Sequence, residues 1–109
     1  MINDALPPSA MRHIVFIETC ARSDDHRWRL AQTIDVEGDR TDAAARAWEL
    51  ALTYLPEEIR SEIRGDASAG RKVFRVSDGS WLVEVWSALR RARFRINTAE
   101  QVHDEKYTR

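Results

Sequence analysis

Cysteine, lysine, glycine and proline are all scarce in this chain of 109 residues, and each scarcity excludes something. Cys20 stands alone, so neither an internal disulfide nor a cysteine-built zinc site can form within one chain. The four glycines, at positions 38, 65, 70 and 79, are too dispersed to make a loop that cradles phosphate. No run approaches the roughly 18 apolar residues that would span a bilayer. Met1 to Pro8 lacks the charged start and apolar middle of an export signal, and a cytoplasmic protein is the expectation. Charge is not in excess either. The formal net charge of -1 gives no bulk attraction to nucleic acid or to an anionic membrane, so any such binding needs a local patch. Fifteen of the seventeen basic residues are arginine. That bias fits a GC-rich genome, and it also supplies planar guanidinium forks suited to carboxylate or phosphate.

What is present is ordinary globular composition, 43% hydrophobic and 32% charged, at a length that supports one core. A single α+β domain is expected over residues 11–105, between a loose leader at 1–10 holding Pro7 and Pro8 and a fraying tail at 106–109. The clearest periodic stretch runs from Thr41 to Leu55. Ala44, Trp48, Ala51, Leu52 and Leu55 fall on one face of a 3.6-residue helix, and Ala43, Ala47, Leu50 and Tyr54 form a second apolar row beside it. A helix with so narrow a polar strip needs cover on more than one side. Thr41 with Asp42 supplies a start, and Pro56 ends the helix while opening a short second one from Pro56 to Arg64.

Strands are expected on both sides of the helices. Arg12 to Ala21 is β-branched and apolar on both faces, which places it centrally in a sheet. Arg22 to His26 reads as a turn into a second strand, Arg27 to Glu37, in which Trp28, Leu30, Ile34 and Val36 share one face. Asp78-Gly79 is a hairpin turn joining Arg71–Ser77 to Trp81–Ser87. Ala88 to Asn97 fits either a strand or the continuation of a helical face; the hairpin turn favours the strand. Thr98, with Gln101 at the reciprocal position, suggests a short C-terminal helix. The sum is ββααβββ, about five antiparallel strands with the helices on one face. Trp28, Trp48, Trp81 and Phe94 are the expected core anchors, with Trp48→Ala costing roughly 3–5 kcal/mol.

Chemistry-bearing sets are thin. His13, His26 and His103 make no metal spacing, and Asp24, Asp25 and His26 read as a polar turn before they read as a metal or acid–base site. Cys20, in an apolar strand, reads as a small buried hydrophobe. No catalytic residue, cofactor, metal or small-molecule substrate is therefore expected. Two binding readings remain. Arg91, Arg93 and Arg95 alternate, so a strand projects all three from one face, with Arg75 and Trp86 expected on the same face; an acidic partner or single-stranded nucleic acid would use such a row. Glu18, Asp35 and Glu84 are the carboxylates that could instead pair with it. The second reading is a partner or dimer contact made by Leu50, Tyr54, Leu82 and Trp86, apolar residues in excess of what one small core needs. The leading expectation is a non-enzymatic interaction or regulatory protein acting through protein–protein contacts as a homodimer. A nucleic-acid-binding regulator is the alternative.

Overall fold

The computed structural model describes residues 12–20 and 27–107. The expected leader at 1–10, the Arg22 to His26 turn and the last two residues of the tail lie outside these. The described residues form an α+β fold in the order ββααβββ: β1 (Arg12–Cys20), β2 (Arg29–Val36), α1 (Arg40–Thr53), α2 (Glu57–Ile63), β3 (Gly70–Ser77), β4 (Ser80–Trp86) and β5 (Arg91–Gln101). All pairings are antiparallel, and the sheet order is β2-β1-β5-β4-β3. β1 is an interior strand, flanked by β2 and β5, as its two apolar faces require, while the middle of the sheet is β5.

α1 starts earlier than Thr41. Asp39 is its N-cap: the side chain accepts from the N–H groups of Thr41 and Asp42, and Asp42 in turn accepts from the Asp39 N–H, closing a capping box. Gly38 precedes it with φ of 124°, a backbone conformation only glycine holds without strain, and a Cβ there would run into the Asp42 carboxylate. α1 lies across β5, β4 and β1. Its sheet-facing side is the row Ala43, Ala47, Leu50 with Ala51, all buried. Alanines spaced one turn apart let the helix axis approach the sheet closely. Trp48 is accordingly displaced to the flank, 43% exposed, with its ring 4.6 Å from that of Trp81. Trp81 and Phe94 are core anchors as expected; Trp48 is not.

The layer between helices and sheet holds Val15, Ile17, Ile59, Trp81, Val83, Val85, Ala92, Phe94 and Ile96, with Tyr54 edge-on to Phe94 at 5.1 Å. Arg71 enters the same layer from β3. Its guanidinium donates to the carbonyls of Ala51 (2.9 Å) and Tyr54 (2.8 Å), the last turn of α1, which carries no basic residue of its own.

Two expectations fail for tertiary reasons. The alternation of β2 is split by a bulge: Ile17 pairs with Gln32 but Glu18 pairs with Leu30, so Ala31 is the extra residue. Leu30 therefore points to the face opposite Ile34 and Val36. The C-terminal helix is absent, and Thr98 to Gln101 continue β5 instead, because β1 offers ladder partners as far as Arg12, opposite Gln101. A full set of backbone hydrogen bonds outweighs one local cap.

Candidate interaction surface

Both helices lie on one face of the sheet, and the register assigns every strand residue to that face or to the other. In antiparallel pairs, directly opposed residues share a face. The other face carries Ile14, Phe16, Glu18 and Cys20 from β1; Leu30, Thr33 and Asp35 from β2; Arg91, Arg93 and Arg95 from β5; Leu82, Glu84 and Trp86 from β4; and Lys72 and Phe74 from β3. Neither helix lies on this face, although Cys20 on it is buried, Ile14, Phe16 and Leu82 are half-buried, and the Trp28 ring lies over Arg95. Leu30 is 64% exposed and Phe74 48% exposed, so apolar surface remains at both edges.

The arginine row is real, but it is not a free row of charge. Arg95 donates to Glu18 at 2.9 Å and its guanidinium lies 4.5 Å from the centre of the Trp28 ring. Arg93 stands directly opposite Glu84, and Arg91 opposite Trp86. At the far end Arg12 pairs with Asp35 at 2.7 Å. Of the charges on the face, Arg95 and Arg12 are in ion pairs, whereas Arg91 and Arg93 make no ion pair with a described carboxylate. Arg75 does not belong to it. Its β3 position opposite Trp81 puts it on the helix side, with its guanidinium 5.1 Å from the Trp81 ring centre.

The residues expected at a partner contact divide in the same way. Leu82 and Trp86 are on the open face, half-buried among their neighbours. Leu50 and Tyr54 are not available, since the rotation of α1 puts Leu50 in the core at 7% exposure and Tyr54 against Phe94. Burial raises the Tyr54 phenol above its ordinary pKa. Trp86 is tied down by its own chain: its indole N–H donates to the Ser68 carbonyl at 3.0 Å, and its ring covers Gly70, where any Cβ would collide with it. The residues that sequence reasoning missed are Ile14, Phe16, Leu30 and Phe74. The alternation of Phe74 with Arg75 was the available signal for the last.

Asp66 anchors the loops beside this surface. Its carboxylate accepts from the hydroxyl and N–H of Ser68 and from the N–H of Ala88, 2.7 Å away, and these hydrogen bonds hold its pKa below 3.8. Among the described residues no cluster of His, Cys, Asp or Glu could hold a metal ion, and no helix is long and apolar enough to cross a membrane. Asp24, Asp25 and His26 lie outside the described residues. No protein-family model, curated protein or solved structure matches the chain.

Proposed function

We propose that the chain is a non-enzymatic interaction protein whose working surface is the open face of its sheet, and that it pairs there with a second copy of itself. The carrying observation is the one-sided placement of the helices, which leaves Leu30 and Phe74 exposed and Ile14, Phe16 and Leu82 half-buried on the face away from both helices. Five strands about 4.8 Å apart, with seven or more residues at about 3.3 Å each, make a face of roughly 20 by 25 Å. That is about 500 Å² in projection, against the about 800 Å² that a standard interface takes from each partner, so the whole face has to take part.

Charge supports self-pairing over an acidic or a basic partner. The face carries Glu18, Asp35 and Glu84 among Arg12, Lys72, Arg91, Arg93 and Arg95, so a copy turned about a twofold axis has carboxylates to present to guanidiniums and the reverse. A nucleic acid would have to break the ion pairs of Arg12 and Arg95 to recruit those two. The reading keeps the cytoplasmic setting expected from the sequence, where a thiol such as Cys20 stays reduced.

Light scattering over a range of concentrations tests it. The expected mass is twice that of the chain, and Phe74→Glu, which enters a twofold interface twice, should weaken pairing about a hundredfold. A wild-type protein that is monomeric at high concentration overturns the proposal.

A further inference from the structure

On the helix side of the sheet a groove of about 540 Å³ separates the first turns of α1 from the end of the β3–β4 hairpin. Arg40 and Trp48 line it from the helix, and Arg75, Asp78 and Trp81 line it from the hairpin. Its size falls within the range of small-molecule sites.

Three features of the groove belong together. Trp48 and Trp81 line one wall with ring centres 4.6 Å apart, and of the two it is Trp48, 43% exposed, that keeps ring surface for stacking. Two guanidiniums, Arg40 and Arg75, stand on either side, and neither forms an ion pair with Asp78 or with any other described carboxylate. The indole N–H of Trp81 is buried, in a residue only 8% exposed, and has no acceptor among the described residues. A buried donor without an acceptor is a costly condition, shared among the described side chains only by the buried Oε1 of Glu58.

We propose that this groove binds a small planar aromatic carboxylate, with the ring against Trp48 beside Trp81 and the carboxylate between Arg40 and Arg75. Guanidinium forks match a carboxylate bidentately. A phosphate group fits less well, because the amides at the start of α1 that would cradle it are already taken: Asp39 accepts from the N–H groups of Thr41 and Asp42. Asp78 on the same wall also disfavours a doubly charged anion.

The groove and the interaction surface lie on opposite faces of the sheet, so the two can be tested apart. The full chain labelled with nitrogen-15 is titrated with 2-naphthoate while the four indole N–H signals are followed. Trp48 and Trp81 should shift saturably while Trp28 and Trp86, placed on the other face, do not. Arg40→Gln and Arg75→Gln, both at exposed positions, should each weaken binding about tenfold, as should replacing the probe by neutral 2-naphthalenemethanol. Inorganic phosphate should leave the indole signals in place. The Phe74→Glu variant should give the same titration as wild type, which separates this outcome from that of self-pairing. Absence of a saturable shift at millimolar probe, equal shifts at all four indoles, unchanged affinity in both arginine variants, or the same shifts with phosphate alone would each overturn the assignment.

Discussion

The four tryptophans do different work, and their substitution costs should rank accordingly. Trp81 is 8% exposed and spans the layer between α1 and the sheet, so Trp81→Ala should cost roughly 3–5 kcal/mol, as should Phe94→Ala. Trp48→Ala removes a side chain that already meets water over 43% of its surface, and about 1–2 kcal/mol is expected in place of the larger figure its periodicity suggested. Urea unfolding of the three variants checks the order, and a Trp48 variant as damaging as the Trp81 variant contradicts this packing. Acid should act through two exposed aspartates. Asp39 is held below 3.8 chiefly by the backbone N–H of Asp42, then by the Asp42 side chain; Asp66 is held below it chiefly by the Ser68 hydroxyl, then by the N–H of Ala88. A depressed carboxylate stabilises the fold above its unfolded-state pKa and loses that contribution as pH falls through the lower folded-state value. The unfolding midpoint of wild type should therefore drop on acidification below 3.8, and the Asp39→Asn, Asp66→Asn double variant should show a shallower drop over the same window.

At the scale of elements, α1 is held at both ends by different parts of the chain. Its start is closed locally by Asp39, whereas its end depends on Arg71, reaching in from β3. The guanidinium sits where the helix dipole is negative, and its partial burial pulls its pKa down from the usual arginine value. Arg71→Met should leave the Ala51 and Tyr54 carbonyls without that donor and cost about 2 kcal/mol. Arg71→Lys, which cannot span both carbonyls with a planar fork, should recover only part of that in the same unfolding measurement. The element order, the interior place of β1 and the Asp78-Gly79 hairpin were legible in the sequence because each rests on a local signal: β-branched runs, turn chemistry, or a proline stop. What was not legible depends on neighbours distant in sequence. Both apolar rows of α1 satisfy the helical period, and the choice between them follows from how close Ala43, Ala47 and Ala51 let the helix approach. That choice moved Leu50 and Tyr54 from a supposed contact into the core. The unbroken alternation from Trp28 to Val36 gave no hint of the bulge at Ala31, which only pairing with β1 reveals. Thr98 and Gln101 carry a sound local cap signal that loses to a ladder offered by residues more than eighty positions away. The alternation of Arg91, Arg93 and Arg95 was read correctly, but Arg75 lies on a different strand whose phase relative to β5 the sequence does not encode.

At the scale of the whole molecule, the open face poses a choice between two forces with opposite responses to salt. If its value lies in the apolar residues, self-association should persist or strengthen as ionic strength rises, because screening leaves the burial of Ile14, Phe16, Leu82 and Phe74 untouched. If its value lies in Arg91, Arg93 and Arg95, binding to single-stranded DNA or RNA should appear at low salt and weaken steeply with added salt. The pairing of Arg95 with Glu18 and the position of Arg93 opposite Glu84 favour the first. The expected result is a dimer whose dissociation constant changes less than about threefold between 50 and 500 mM salt, with no nucleic-acid binding at the lower of the two. Arg91→Gln with Arg93→Gln should raise that constant far less than Phe74→Glu does, because the apolar residues carry the pairing and the charges on β5 add only complementarity. A titration in which nucleic acid binds at low salt, and in which the double arginine variant flattens the salt dependence, would transfer the surface from the apolar residues to the arginine row, and the homodimer reading would then have to be given up.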